Sequence, residues 1–508
     1  MRPIILLLLC VTGAGVVQAQ VKPVVVSVDA GVTYQTISNF GASDAWSCQF
    51  AGSWPDSKKQ QLADWLFSMD TTAQGQPQGI GLSLWRFNIG AGSAQQGDAS
   101  GIKDEWRRAP SFLEAGNTWN WKSHAGQLWF LQAAKASGVQ QFLAFLNSPP
   151  VQLTKNGKAF ASEGKCNIDS SRYNDLAAYL VQVLNGVYTT TGIRFNYISP
   201  VNEPQWDWSD GGQEGCPYTN EEVSGLVRSI SRAFAEKGLA TKILVPEAGQ
   251  LNYLYEKGNK PARGSQAGYF FDPRSAGYLG NLPQVQHSVA AHSYFTTSPY
   301  SKAVAVRKKL AADIANIGGL DFWQSEYCIL GDNAGEINGS KRDLGMDAAL
   351  YLARVIHTDL AVANAAAWQY WLAISPYNYK DGLIYIDKNK TGGQYHDSKM
   401  LWALGNYSRF IRPGAQRIQV TIKDSAALEK DLLISAYKNT DNSISIVIVN
   451  NGAAAADITL RCLHAQLGRV RSYTTSDKGN LAPGSMDNAA ANSIRIPARA
   501  VVTLTAKS

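Results

Sequence analysis

The sequence has little of what marks several large protein classes. In 508 residues there are six cysteines and six histidines. The cysteines form no Cys-x-x-Cys pair and are widely scattered, which argues against a zinc cage. His124, His287, His292, His357, His396 and His464 form no His-Glu-x-x-His, so a metalloprotease-type centre is disfavoured. No Gly-x-Ser-x-Gly elbow occurs, which disfavours a serine hydrolase. The stretch Gly90-Ala91-Gly92-Ser93-Ala94-Gln95 lacks the last glycine of a dinucleotide-binding loop. Forty-seven basic and 40 acidic residues give a net charge of +7, but no Lys/Arg-rich block is present, and nucleic-acid binders usually cluster their charge. Past the N-terminus no run of 18 apolar residues occurs, so no transmembrane helix is expected. Internal repeats and low-complexity segments are also missing. These absences leave no metal, cofactor, nucleic acid, membrane or protein partner to expect.

What is present points elsewhere. With 45% hydrophobic and 17% charged residues the chain buries a large core and is not globally disordered. Fourteen Trp, 22 Tyr and 16 Phe are many flat rings; a core absorbs a large share of them, and sugars are one ligand class that stacks on any that are presented to a ligand. Arg2, the run Ile4–Val11 and the small-residue ending Val17-Gln18-Ala19 have the form of a secretory signal peptide, so residues 1–19 are expected to be removed and the protein secreted or periplasmic. A membrane anchor is the weaker reading, because the run is too short to span a bilayer. Five cysteines then remain, an odd number; export permits disulfides, and Cys166–Cys216 is one pairing that the sequence allows.

Val24–Val28 and Val32–Tyr34 read as strands. From about 41 to 408, short β-like runs alternate with amphipathic stretches. Eight such runs lie at Ile37–Gly41, Gly81–Phe87, Gln141–Leu146, Phe195–Ser199, Lys242–Val245, Ser288–Tyr294, Asp321–Ser325 and Ala366–Trp371. Helical patterns lie at 57–69, 174–188 and 220–236, the last preceded by a capping signal at Thr219. Eight strand–helix units predict an α/β fold, a (β/α)8 TIM barrel with long loops. From 409 to 508 the runs Arg417–Ile422, Leu432–Tyr437, Ser443–Val449, Asp457–Leu460, Ser493–Ile496 and Val501–Thr505 predict a β-sandwich, which residues 20–40 are expected to join.

In a barrel of this kind function lies at the C-terminal ends of the strands. Glu203, Glu247 and Glu326 occupy such positions, with Glu203 and Glu326 after the fourth and seventh strands. A lone Glu there is more often a structural ion pair. Two of them flanked by aromatics can divide labour: a protonated carboxyl donates and an ionised one attacks, which is the equipment for breaking a glycosidic bond.

Asn202-Glu203-Pro204 and Trp323-Gln324-Ser325-Glu326-Tyr327 resemble the acid/base and nucleophile motifs of the retaining clan A glycoside hydrolases. A barrel bracketed by a split sandwich resembles glycoside hydrolase family 30. Ile37–Ala42, Leu82–Asn88, Asn147-Ser148-Pro149-Pro150 and Phe410-Ile411-Arg412-Pro413-Gly414 extend the resemblance over nearly all of the mature chain. The resemblance implies Glu203 as general acid/base and Glu326 as nucleophile. It also implies Asn202 on the sugar 2-hydroxyl, and Arg86 and Tyr294 holding Glu326 as an oriented carboxylate. Asn147 belongs to the same set. Glu247 is assigned a supporting or substrate-contact role. His292, two residues before Tyr294, is read either as a neutral hydrogen bonder in the cleft or as a buried structural residue. Trp46, Trp206, Trp208 and Trp371 are candidate sugar platforms, Trp206 and Trp371 foremost, and Asp44 a candidate for a sugar hydroxyl.

One branch of the family reads a uronate side group with Arg after strand eight. Here Trp371–Tyr379 contains no Arg, although a carboxylate calls for a cation. Trp368-Gln369-Tyr370-Trp371 with Gly382-Leu383-Ile384, and Leu153–Gly157, resemble the branch that includes endo-β-1,6-galactanases. The expected substrate is therefore a polysaccharide or oligosaccharide, with β-1,6-galactan first and xylan and β-1,6-glucan next. The non-enzymatic alternative is a carbohydrate-binding protein on a degenerate barrel, which retention of both Glu argues against.

Overall fold

A computed structural model of the chain describes residues 23–423, 430–465, 468–486 and 494–507. The expected signal segment lies outside these residues. The first strand, β1 (Val24–Thr36), is one long strand with two register irregularities, not two separate strands. Eight parallel strands follow: β2 (Asn39–Ser43), β3 (Leu84–Asn88), β4 (Gln141–Phe145), β5 (Tyr197–Ser199), β6 (Lys242–Ala248), β7 (Val285–His292), β8 (Asp321–Glu326) and β9 (Ala365–Ser375). They pair in sequence order, and β9 pairs with both β8 and β2, so the barrel closes. The expected (β/α)8 barrel is thus the observed one. Two further strands, β10 (Gly382–Ile386) and β11 (Tyr395–Asp397), extend the sheet beside β9.

The barrel strands are covered on both faces, which is why they read as continuous apolar runs rather than alternating ones. The surrounding helices bury a single stripe. In the helix Asn220–Glu236, Val223, Leu226, Val227, Ile230 and Phe234 face inward. Thr219 caps it through a reciprocal bond with Glu222, which satisfies two orphaned amides. Inside the barrel, below the end that carries Glu203 and Glu326, lies a layer of amides. Gln369 donates to Asn39 (3.1 Å), Asn39 to Gln141 (3.0 Å), and Gln324 accepts from the Gln369 amide (3.2 Å). These bonds tie the first, third, seventh and eighth barrel strands where a buried polar group without a partner would be costly.

The remaining strands are β12 (Gln416–Ile422), β13 (Leu432–Lys438), β14 (Ile444–Asn450), β15 (Ala456–Leu463), β16 (Val470–Ser476), β17 (Gly479–Met486), β18 (Ile494–Ile496) and β19 (Ala500–Ala506). They form the β-sandwich in the order β17-β16-β19-β14-β13-β12-β1-β15-β18. β1 pairs antiparallel with β12 and parallel with β15, so the N-terminal strand is part of this domain. Side chains alternate between two cores. Ile434, Ala436, Ile446, Ile448, Val502 and Leu504 fill the sandwich, while Leu433, Tyr437, Val447, Val449 and Val501 pack toward the barrel. The chain enters the barrel beside the point where it leaves. Ile37 donates to Ala415 (2.7 Å) and Gly414 to Ile37 (2.8 Å), next to Arg412, which donates to the Ser408 carbonyl (2.7 Å). Among the described residues no helix is long and apolar enough to cross a membrane.

All five described cysteines are free thiols. Cys166 and Cys216 nevertheless lie together, the Asn167 amide donating to Cys216 Sγ at 3.3 Å.

Candidate active site

Glu203 follows β5 in the segment Pro200–Pro204, and Glu326 ends β8. The Glu203 backbone sits in the left-handed region (φ 44°), as does that of Glu247 (φ 56°). The turn at Glu203 is held across the barrel mouth: its amide donates to the Glu247 carbonyl (2.8 Å), and its own carbonyl accepts from the Trp206 amide (3.2 Å) and Trp208 Nε1 (3.0 Å). Two glycines seat the indoles. A Cβ at Gly249 would meet Trp206 at 2.6 Å and one at Gly215 would meet Trp208 at 2.4 Å.

Between the two carboxyls lies a chain of buried contacts. Glu326 accepts from Arg86 Nη1 (2.6 Å) on one oxygen and from the Tyr294 hydroxyl (3.1 Å) on the other. His292 Nδ1 stands 2.8 Å from Glu203 Oε1, and its Nε2 stands 3.1 Å from Glu247 Oε2. Ser199 and Ser325 both donate to Glu247, and Arg86 Nη2 lies 3.8 Å from it. Arg86 Nη2 also donates to Asn202 Oδ1 (3.3 Å), and its guanidinium lies on the Phe145 ring at 3.8 Å. Because Asn202 gives its oxygen to Arg86, its amide N–H2 is the group left for the cleft.

Three buried carboxyls face two basic groups, so one negative charge is in excess and one carboxyl is the natural place for a proton. Burial raises Glu203 above the ordinary value of 4.5, although the His292 hydrogen bond and charge oppose it. Burial acts on Glu247 in the same direction, but Arg86, His292 and Ser199 outweigh it and hold Glu247 at about 2. Burial would lower His292, yet Glu326, Glu203 and Glu247 push it up to about 10. Of the two readings of His292, the structure has it buried, and this upward shift favours a charged imidazole bridging the carboxyls of Glu203 and Glu247 over a neutral one. Burial also keeps the Tyr294 phenol protonated, so it remains a donor to Glu326. Glu203, His292 and Glu326 each present one atom within 4.8 Å of the others, a spacing that metal ligands also show. A metal-bound His must be neutral, and both Glu326 oxygens are already hydrogen-bonded, so this donor set does not suit a cation.

Above the carboxyls opens a cleft of about 700 Å³. Its walls include Asn202, Glu203, Trp206, Trp208, Tyr294, Phe295, Glu326, Leu330 and Trp371. Other residues singled out from the sequence lie elsewhere. Glu247 is fully buried beneath the mouth, which makes it a support and removes it from substrate contact. Asp44 is sealed as well. Its carboxyl accepts from the Asn88 amide (2.7 Å) and Gln127 (3.1 Å), and burial lifts it to about 8, so it is an enclosed structural acid and not an open sugar contact. Asn147 is buried beside β4 with no partner for its side-chain oxygen. Trp46 is a buried prop that meets Trp371 edge-on at 5.4 Å, leaving Trp371 as the ring on the cleft.

Sequence reasoning missed four contributors. Ser199 and Ser325, which clamp Glu247, are the strand-end residues beside the two Glu motifs, so their position was the available signal. Phe295 directly follows Tyr294 and forms part of the cleft wall. Arg107 comes from the segment between β3 and β4 to lie over Trp46 (4.9 Å) and Tyr377 (5.3 Å), so a cation packs on the aromatic cluster that backs Trp371 although Trp371–Tyr379 contains none.

Comparison with known proteins agrees with this geometry. The family model described as O-Glycosyl hydrolase family 30 matches residues 23–385, and that of the glycosyl hydrolase family 30 beta sandwich domain matches residues 414–504. Among relatives, an endo-beta-1,6-galactanase of Hypocrea rufa is 23% identical over 479 residues, covering 89% of this chain and 91% of its own. Glucuronoxylanase XynC of Bacillus subtilis (strain 168) is 23% identical over 386 residues, covering 73% and 76%. The crystal structure of a conserved exported protein from Bacteroides fragilis superposes with a TM-score of 0.87 at 32% identity, covering 95% of this chain and all of that one. With both of its domains matched and two carboxyls at the ends of the fourth and seventh barrel strands, the chain belongs to glycoside hydrolase family 30.

Proposed function

We propose that the protein is a secreted, retaining endo-glycosidase that cleaves β-1,6-linked galactan, such as arabinogalactan side chains. The observation that carries the mechanism is that one carboxyl oxygen of Glu203 and one of Glu326 lie within 4.8 Å of each other. Retaining enzymes hold their carboxyls about 5–5.5 Å apart, whereas inverting ones leave about 6.5–9.5 Å for a water between them.

In this reading Glu326, oriented by Arg86 and Tyr294, attacks the anomeric carbon from one side. The bond to the leaving oxygen breaks as Glu203 gives that oxygen its proton. A water then approaches from the leaving-group side, Glu203 takes its proton, and the ester bond between Glu326 and the sugar breaks. Both carboxyls return to their starting states. Asn202 donates to the 2-hydroxyl, a contact that strengthens as positive charge builds on the ring. Trp206, Trp208 and Trp371 supply apolar faces for the sugars.

Galactan is placed first because the galactanase relative matches more of this chain than the xylanase does, and because Trp371–Tyr379 contains no Arg. Arg107 favours one second reading, an acidic xylan, and gives the test a specific arm. Product analysis on β-1,6-galactan, arabinoxylan, glucuronoxylan and β-1,6-glucan is expected to give internal cleavage of galactan at least tenfold faster than of the others. Preference for glucuronoxylan would transfer the assignment to Arg107-mediated uronate reading. Secretion is supported by the N-terminal pattern, and N-terminal sequencing of secreted protein is expected to begin near Gln20.

A pH prediction follows from the charge balance. Glu203 must be protonated to donate, so kcat/KM falls as pH rises through its pKa, which burial places above the ordinary carboxylate value. His292 opposes that rise. Replacing His292 by Gln keeps a donor and removes the positive charge, so Glu203 should titrate higher and the alkaline limb of the profile should move up by about one pH unit. A shift to lower pH would contradict the assignment of the proton to Glu203.

A further inference from the structure

Phe295 is 55% exposed, in a wall where Tyr294, Trp371 and Glu326 are almost fully buried. Its backbone lies in the left-handed region (φ 58°), where a bulky side chain is disfavoured. Two local penalties thus meet at one residue, and they meet in the cleft, one position after the tyrosine that holds Glu326. The ring has two aromatic neighbours. It meets Trp206 edge-on (6.1 Å, 87°) and lies 6.3 Å from Tyr294. Trp206 in turn is anchored by its amide to the Glu203 carbonyl. Through Trp206 the ring adjoins the turn that carries Glu203, and through Tyr294 it adjoins Glu326, so it lines the mouth above both carboxyls. With Leu330 it forms an apolar wall, and Asp210 and Gln213 line the same cleft with polar groups.

We propose that Phe295 is the platform for the leaving-group sugar. A phenyl face has no hydrogen bond to offer, so it selects a pyranose ring presenting its C–H face, while the polar groups meet the hydroxyls. The inference rests on the glycosidase reading above and extends it to a second outcome. Once the leaving sugar has departed, the same platform holds an incoming sugar acceptor. Its hydroxyl oxygen bonds to the anomeric carbon, Glu203 takes the hydroxyl proton, and the ester to Glu326 breaks with the electron pair returning to the carboxylate. Phe295 thus promotes glycosyl transfer over hydrolysis.

The test compares the full protein with Phe295→Ala and Phe295→Trp on a β-1,6-galactooligosaccharide and on the matching β-glycosyl fluoride, whose leaving group is no sugar. Phe295→Ala should lower kcat/KM on the oligosaccharide about tenfold, mostly through KM, and leave the fluoride within about twofold. The ratio of transfer to hydrolysis products at high acceptor concentration should fall several-fold, and Phe295→Trp should restore both. Equal losses on the two substrates, or an unchanged oligosaccharide rate, would overturn the proposal. A wild-type protein inert toward both substrates and toward the other β-glycans would overturn the glycosidase reading itself.

Discussion

Replacement of Glu326 by Gln should lower kcat by at least roughly 10⁴-fold while glycan binding survives. Losses of this size accompany removal of a covalent nucleophile in enzymes whose remaining groups stay in place. The argument is local. Arg86 and Tyr294 both donate to Glu326, and both are buried. An amide keeps the shape but cannot form the ester. It also turns one face of Arg86 toward a neutral group, leaving Glu247, at 3.8 Å, as the nearest anion. Binding measured by calorimetry should stay within about tenfold, because the ring faces and Asn202 are untouched. Turnover within tenfold of wild type would exclude Glu326 as nucleophile, and would be the result for a protein that only binds carbohydrate.

Glu203→Ala should produce a different loss, one that depends on the leaving group. A positioned proton donor contributes about 10²–10⁴-fold. An alkoxide leaving from a natural glycan needs that proton, so polysaccharide cleavage should fall across that range. A dinitrophenol leaves without it, so the first step on an activated aryl glycoside should be nearly unchanged. The second step still lacks its base. The glycosyl-enzyme should therefore accumulate, giving a burst of phenol followed by slow turnover. Added azide, which needs no base, should speed the slow phase and yield the β-glycosyl azide. Losses of equal size on both substrates, with no burst, would remove Glu203 from the proton-transfer role and leave it a packing residue.

The barrel is legible in the sequence because strands covered on both faces are short apolar runs, and the helices between them carry a single apolar stripe. The two Glu motifs stand out because they end such runs. The sandwich is less legible, for a physical reason. β17 reads Gly479-Asn480-Leu481-Ala482-Pro483-Gly484, a composition that strands avoid, and it is tolerated because β17 is the edge of its sheet, where proline costs no ladder bond to a further strand. The charge on His292 is illegible in the sequence because it depends on three carboxyls from three strands converging on one imidazole. Asp44 shows the converse. A strand-end acid reads as a sugar contact, but Asn88 and Gln127 close over it, and that enclosure is a tertiary fact. Phe295 escapes notice for another reason: exposure at a cleft leaves no trace in hydrophobic periodicity.

The central claim is double displacement between Glu203 and Glu326, and the stereochemistry of the first product tests it most directly. Proton NMR of the galactan reaction, recorded within minutes of mixing and before mutarotation, should show the new reducing end as the β-anomer, with α appearing only later. Initial formation of the α-anomer would mean a single displacement by water, and would contradict the account drawn from the short separation of the two carboxylates.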